Sequence, residues 1–117
     1  MNATDGRAFP PWDLLAEQDR SFAEVLDRLI DLTFSFGEVD AEPVLPIKTK
    51  QLIAVAVLAS QRNTERLPFH LQRALNEGAT DREAVEAFEI AMMLSGVPAL
   101  RVGMQALWHI RNDEGTA

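Results

Sequence analysis

The apolar run LIAVAVLA at residues 52–59 constrains the fold of this chain more than any other feature. Wound into a helix, this run leaves no polar stripe, because apolar side chains occur on every side of the turn. A helix of this kind has to lie at the centre of a domain. No strand is indicated, since the β-branched residues fall within helical patterns and no Asn-Gly hairpin turn occurs. The sequence therefore predicts an all-α domain built around a helix over residues 47–61.

The segment before this helix is predicted to be an arm, a helix and a linker. Residues 1–20 contain Pro and Gly among scattered charges and are expected to form the arm, with a short helical turn near its end. Ser21 and Glu24 have the spacing of a capping box and predict that the first full helix begins there. Residues 38–46 contain two prolines and are expected to be a linker.

A polar segment, residues 60–66, follows the central helix and leads to the next one. We call this segment the elbow. The following helix opens around Pro68 and His70 and cannot start much before Thr64, because Pro68 is tolerated in the first turn of a helix but not in its interior. Gly78 is expected to end it in a left-handed conformation. The elbow therefore predicts a sharp change of direction between two helices.

The last two helices are predicted from their first residues. Thr80 and Glu83 repeat the capping-box spacing and open a helix that ends at Gly96, and Pro98 opens the final helix. The expected domain division is an arm at residues 1–20, a helical domain at residues 21–112 and a frayed tail at residues 113–117.

Composition excludes several functional classes. The chain has 117 residues, which corresponds to one domain, and no apolar run approaches the ~18 residues of a membrane-spanning helix. No signal peptide opens it, and the absence of cysteine excludes disulfides and thiol chemistry, so we expect a cytoplasmic protein. A net charge of −7 argues against a nucleic-acid partner, because the phosphate backbone would repel it.

Two helices, at residues 52–59 and 84–94, are apolar on almost every side. A domain of this size buries only ~60–65% of its unfolded surface, so five helices can hardly enclose both. We therefore expect a homo-oligomer with an apolar helical interface, and a tightly wrapped monomer is the alternative.

Three segments carry a resemblance to a known family: TKQLIAVAVLA, FHLQRALNEGATDREAVEAF and AMMLSGVPAL. In order and spacing they resemble the carboxymuconolactone decarboxylase family, which includes the AhpD-type alkylhydroperoxidases. The resemblance covers roughly residues 46–107, about half the chain. It implies an AhpD-like fold of about five to six helices, a trimer or a hexamer, and no cofactor.

The peroxidase branch of that family uses two cysteines in C-x-x-C spacing before a histidine. Those positions fall on Asn63 and Arg66 here, and His70 matches the histidine. A glutamate that relays protons in that branch is replaced by Gln51. Peroxide reduction by thiols requires a thiolate, so this chain by itself is not a thiol peroxidase.

The decarboxylase branch lacks the cysteines and has a polar elbow of similar length. The resemblance to it implies a cofactor-free lyase that acts on a carboxylate-bearing lactone or keto acid. Its usual glutamate four residues before the histidine is replaced by Arg66, with Glu65 one residue earlier. This exchange puts a cation where that branch has an acid.

The residue types around the elbow suit such a reaction. Loss of carbon dioxide requires a positioned carboxylate, a stabilised oxyanion and a proton for carbon. We expect His70 as general acid and base, Arg66 or Arg62 as the carboxylate anchor, and Glu65 or Glu86 to orient a partner. In a helix from Thr64, the side chains of Asn63, Arg66 and His70 would share one face. The predicted catalytic residues are His70, Arg66 and Glu65, and the predicted substrate contacts are Arg62, Asn63, Gln51 and Glu86.

Simpler interpretations stay open for each of these residues. His70 is equally suited to a structural hydrogen bond, and Glu86 is spaced for an ion pair with Arg82 or Arg73. No metal is expected, because His70 and His109 are far apart without ligand spacing. The alternative to a lyase is a non-catalytic oligomer that serves as a binding or scaffold protein.

Overall fold

The computed structural model describes residues 9–34 and 44–116, with side chains through residue 113. These residues form six helices and no strand, which confirms the all-α prediction. The helices are α1 (Pro10–Gln18), α2 (Arg20–Phe34), α3 (Ile47–Ser60), α4 (Leu67–Asn76), α5 (Asp81–Ser95) and α6 (Val97–Thr116). None of these helices is long and apolar enough to cross a membrane.

The hydrophobic core lies among α3, α4, α5 and α6. Helix α3 is central, as the run at residues 52–59 predicts, and it packs against α4, α5 and α6. The core side chains are small or branched and surround one aromatic ring, Phe88 of α5, which is fully buried. The buried cluster comprises Val55, Ala59, Leu67, Leu71, Ala84, Phe88, Ala91, Ala99, Ala106 and Leu107.

Helices α1 and α2 form a hairpin on the outside of this core. They pack against each other, α2 also contacts α3, and none of their residues is buried. The apolar side of α2 is a stripe at helical spacing, Phe22, Val25, Leu29 and Leu32. These four side chains keep 43–68% of their surface exposed, so the part of the chain that the structure describes leaves the stripe largely uncovered.

Three expected helix limits differ from the observed ones. Helix α2 begins at Arg20, because the Asp19 carboxylate accepts a hydrogen bond from the Phe22 amide and caps the helix in place of Ser21. The segment expected to be an arm contains α1, whose first two residues are prolines that suit a first turn. Helix α6 continues to Thr116, past the expected end of the helical domain at residue 112.

The caps around α5 agree with the sequence. The Thr80 hydroxyl accepts from the Glu83 amide at 3.0 Å, and the Glu83 carboxylate accepts from the Thr80 amide at 2.9 Å. Gly78 has φ +95°, which ends the preceding helical turn in the left-handed region. Residues 35–43, which include the greater part of the expected linker, lie outside the described residues.

Candidate functional site

His70 and Gln51 face each other at the start of two packed helices. Gln51 lies in the first turns of α3 and is fully buried, and His70 lies in the first turn of α4. The His70 Nδ1 atom is 2.7 Å from Gln51 Oε1. An amide oxygen only accepts hydrogen bonds, so Nδ1 carries the hydrogen and Nε2 is left with its lone pair. Gln51 therefore fixes the tautomer of the histidine.

The surroundings of His70 keep its ring neutral. Burial, and to a smaller extent the positive charge of Arg66, lowers the pKa of His70 to about 4. At pH 7 the free protein therefore presents a neutral imidazole, with Nε2 able to accept a proton.

A cavity of about 350 Å³ opens beside His70, between the end of α2 and one face of α3. A volume of this order holds a small organic molecule. Its wall is mainly apolar, and its polar side chains are those of Lys50, Thr33 and His70. The lining residues are Thr33, Phe34, Lys50, Ile53, Ala54, Val57, Leu58 and His70.

The sequence analysis does not identify Lys50, Thr33 and Phe34 as site residues. The Phe34 ring lies against His70 with 5.1 Å between ring centroids, so the last turn of α2 reaches the histidine. Lys50, Ala54 and Val57 follow one another at steps of four and three along α3, a spacing that places them on one face. This spacing is visible in the sequence, but nothing there indicates that α2 covers that face.

Arg66 and Asn63 lie before α4 and not within it. The helix begins at Leu67, within the limit that Pro68 sets, and the Asn63 side chain accepts a hydrogen bond from the Arg66 amide at 3.0 Å. A helix from Thr64, the condition under which Asn63, Arg66 and His70 would share one face, is therefore not present. Residues 64–66 form a turn in which the Leu67 amide donates to the Asn63 carbonyl oxygen, and Pro68 has no amide hydrogen to continue the helical hydrogen bonds from this turn into α4.

The guanidinium of Arg66 lies over two aromatic rings. Its central carbon is 4.9 Å from the centroid of Phe69 and 5.3 Å from that of Phe9. Arg66 is half-buried and is not part of the cavity wall, although its charge acts on His70. The N-terminal end of the described chain thus packs on the elbow of its own protomer through Phe9.

The remaining predicted site residues lie apart from the cavity. Arg62 has φ 55° and donates to the carbonyl oxygens of Ser60 and Ser95, each at 3.0 Å, which ties the elbow to the end of α5. Glu86 is exposed and pairs with Arg82 one turn earlier at 3.2 Å. Glu65 is exposed on the elbow. The structure thus brings together His70, Gln51 and Arg66, of which His70 lines the cavity, and leaves Arg62, Glu86 and Glu65 apart from it.

No group of three or more His, Asp or Glu side chains is arranged to hold a metal ion among residues 9–34 and 44–113. The polar groups at the cavity are an imidazole, an ammonium group and a hydroxyl. Such a set suits a proton transfer and the binding of an anion.

Comparison with known proteins identifies the family to which the chain is related. The carboxymuconolactone decarboxylase family matches residues 25–107, which include all the lining residues of the cavity. A 4-carboxymuconolactone decarboxylase from Acinetobacter baylyi is 32% identical over 84 residues, which are 72% of this chain and 63% of that relative. The chain therefore spans somewhat less than two thirds of the relative's length. These matches agree with the helical fold and with the resemblance found in the sequence, and the chain belongs to the carboxymuconolactone decarboxylase family.

Proposed function

We propose that this protein is a cofactor-free carboxy-lyase that removes carbon dioxide from a carboxylate-bearing lactone or keto acid, with His70 as the acid and base. The observation that carries the proposal is the position of His70, a neutral imidazole held by Gln51 at the wall of an apolar cavity. Membership of the family and the similarity to a decarboxylase support the reaction class.

The apolar wall favours the first step. A carboxylate loses solvation in such a cavity, and the charge becomes more dispersed as the carbon–carbon bond breaks. Carbon dioxide leaves, and the electron pair of the broken bond is delocalised onto a conjugated carbonyl oxygen as an enolate. Ile53, Ala54 and Val57 form part of this apolar wall.

His70 supplies the proton in the second step. A substrate anion beside the ring offsets the charge of Arg66, so the pKa of His70 rises in the complex and the imidazole takes a proton from solvent. Nε2 then donates this proton to the carbon of the enolate and the ring returns to the neutral form. Gln51 keeps Nδ1 hydrogen-bonded throughout, so Nε2 remains the atom that exchanges the proton.

The test is carbon dioxide release from a panel of carboxylated muconolactones and β-keto acids. We compare the unmodified protein with His70→Ala, Arg66→Ala and the control His109→Ala, which removes an exposed histidine on α6. Turnover should fall about 10²-fold or more in His70→Ala, the usual contribution of a positioned acid or base, and stay unchanged in His109→Ala.

A second candidate function is a non-catalytic binding protein with the same cavity. It is favoured by the position of Arg66, the expected carboxylate anchor, which packs on Phe9 and Phe69 and not on the cavity wall. If no acid on the panel is turned over while all variants stay folded, the lyase proposal is overturned in favour of this one. A loss of turnover that is equal in His70→Ala and His109→Ala would likewise refute the role of His70.

Self-association belongs to the same proposal. Two exposed apolar surfaces support it: the α2 stripe, and the corner between α5 and α6, where Met93 is 77% and Leu94 is 84% exposed. Large contiguous apolar patches on a protein surface mark interfaces. We propose a homo-oligomer, a trimer or a hexamer, in which such surfaces cover one another.

A further inference from the structure

We infer that the cavity beside His70 binds uncharged molecules that carry a hydroxyl group on an apolar body, and that this hydroxyl donates a hydrogen bond to His70 Nε2. The ligand class comprises phenols, enols and alcohols. This inference goes beyond the proposed lyase, because such a ligand contains no carboxylate and its binding requires no turnover. It rests on which hydrogens of the cavity wall already have an acceptor within the protein.

The hydrogen on the His70 ring is used inside the protein. Nδ1 lies 2.7 Å from Gln51 Oε1, an atom that only accepts hydrogen bonds, so this nitrogen carries the ring hydrogen. Gln51 is fully buried and is not part of the cavity wall, so the Nδ1 edge of the ring is turned towards the protein interior. The edge with the Nε2 lone pair is then the one that faces the cavity. His70 therefore offers a ligand an acceptor and no donor.

The other uncharged polar side chain of the wall is in the same situation. The Thr33 hydroxyl donates to the Leu29 carbonyl oxygen at 2.8 Å, one helical turn earlier in α2. A hydroxyl has one hydrogen, so Thr33 Oγ1 is left with its lone pairs. Among the described lining residues, both uncharged polar side chains are therefore hydrogen-bond acceptors. A ligand that complements them has to bring a hydrogen of its own.

The rest of the wall defines the body of the ligand. Five lining side chains are hydrocarbon: Phe34, Ile53, Ala54, Val57 and Leu58. At roughly 30 Å³ for each water-sized group, a volume of about 350 Å³ has room for about ten non-hydrogen atoms. Burial of a hydrocarbon body here contributes about 25 cal/mol for each Å² removed from water. One aromatic ring with a short alkyl chain fits this description.

The charge state of the site suits an uncharged donor. Burial and Arg66 keep the imidazole neutral at pH 7, so Nε2 is available to accept a hydrogen bond. A protonated amine is also a donor, but the positive charge of Arg66, which acts on the ring, disfavours a cation there. A phenol, with a pKa of ~10 like that of tyrosine, stays uncharged at pH 7. Lys50 also lines the cavity, but it already interacts with another group of the chain, and the hydroxyl contact does not involve it.

Two isomers of equal size separate the effect of the donor from that of the apolar body. 4-Ethylphenol and 4-methylanisole contain the same atoms, but the phenol donates a hydrogen bond and the ether only accepts one. Both are titrated into the full chain at pH 7, and their dissociation constants are measured by NMR. We expect 4-ethylphenol to bind about tenfold more tightly, which corresponds to about 1.4 kcal/mol. Equal affinity of the two isomers, or tighter binding of the ether, would overturn the inference.

His70→Phe tests the acceptor. Phenylalanine keeps an aromatic ring beside Phe34 but has no nitrogen, so the preference for the phenol should disappear while 4-methylanisole still binds. His109→Ala is the matched control, because His109 is an exposed histidine on α6 outside the cavity wall and its loss should leave the preference unchanged. A tenfold preference that persists in His70→Phe would refute the contact with His70.

The nitrogen NMR signal of His70 Nε2 decides the question if His70→Phe does not fold by circular dichroism. The chain has two histidines, so in His109→Ala the imidazole signals belong to His70. A ring nitrogen with a lone pair resonates far downfield of a protonated one, and the Nε2 signal should move upfield when this atom accepts a hydrogen bond from 4-ethylphenol. We expect no comparable change with 4-methylanisole. An Nε2 signal that responds equally to both isomers, or to neither, would contradict the proposed hydrogen bond.

The outcome is separable from that of the proposed function. A preference for 4-ethylphenol that depends on His70, together with no release of carbon dioxide from any acid, supports this ligand class and overturns the lyase. Release of carbon dioxide that depends on His70, with equal affinity for the two isomers, does the reverse.

Discussion

At the scale of single residues, His70 and Gln51 act as one unit across two helices. The neutral state of the histidine follows from burial and from Arg66, and its tautomer follows from Gln51. A histidine that only supports the fold would make the same hydrogen bond. What distinguishes His70 is that its ring also forms part of the wall of a ligand-sized cavity.

The depressed pKa of His70 predicts how stability depends on pH. Since its pKa is about 4 in the folded chain and 6.5 in the unfolded one, the unfolded chain binds more protons between these values. The free energy of unfolding should therefore be highest above pH 6.5 and decrease as the pH falls through this window towards 4.

Urea unfolding at pH 5 and pH 7 measures this effect, and His70→Gln should have a smaller difference between the two pH values. The pKa values of Asp81 and Glu83 are also lowered, from ordinary values that already lie below 5, so these carboxyl groups contribute little to the difference between pH 5 and pH 7. By NMR, the ring signal of His70, assigned by its absence in His70→Gln, should have its midpoint near pH 4. A midpoint at 6.5 would contradict the burial of the ring.

Gln51→Glu should raise the pKa of His70. The carboxylate would stand where Gln51 Oε1 accepts from Nδ1 and would stabilise the imidazolium. The exchange removes no hydrogen bond of the amide nitrogen, because Gln51 Nε2 is buried without a partner among the described residues. The same NMR titration measures the shift, and Gln51→Met is the control that removes the acceptor without adding a charge. An unchanged midpoint in Gln51→Glu would show that the two side chains are not in contact in solution.

At the scale of elements, the packing of α6 on α5 depends on one close approach. Gly103 is in the middle of α6, and a Cβ atom there would overlap the ring of Phe88, which is fully buried. Because glycine has no side chain, the backbone of α6 can pack directly against the Phe88 ring of α5. A smaller residue at position 88 would leave a void instead.

Gly103→Ala should destabilise the protein although alanine favours a helix. The gain in helix propensity is about 1 kcal/mol, while forcing extra volume into a packed core costs about 1–3 kcal/mol. We expect a net loss of about 1 kcal/mol in urea unfolding, relative to the unmodified chain. In a Phe88→Leu background, where the overlap is relieved, the same change should be neutral or stabilising. A stabilising effect in both backgrounds would contradict the close approach.

At the scale of the whole molecule, the single chain leaves much apolar surface uncovered. The core is formed by α3 to α6, and the α1–α2 hairpin lies outside it with no buried residue. The α2 stripe has the spacing of a helix that packs against another apolar surface. In the proposed oligomer, a second copy of the chain covers this stripe.

Val25→Glu together with Leu29→Glu should dissociate the oligomer. These residues are 68% and 57% exposed in the single chain, so the charges cost little there but would be buried without a partner in an interface. Sedimentation at several concentrations measures the mass, and Asp27→Asn, on an exposed polar position of the same helix, is the control. A sedimenting monomer of the unmodified protein would refute self-association, and an unchanged oligomer of the double variant would exclude the α2 stripe from the interface.

Local interactions account for what the sequence predicts well. The central position of α3 follows from its apolar run, the start of α5 from the Thr80 and Glu83 spacing, and the turn at Gly78 from the freedom of glycine. His70 is found as a candidate from the resemblance and from its position after the elbow. Each of these features depends on residues that are close together in the chain.

The sequence by itself therefore determined the helical class, the central helix, the family and the candidate histidine. The tertiary structure alone decided which residues surround that histidine. Lys50 and Phe34 reach the cavity because α2 docks on α3, and Arg62 leaves it because its guanidinium bonds to the carbonyl of Ser95, 33 residues away. These contacts join distant parts of the chain, and no periodicity or cap signal within one segment specifies how two segments pack.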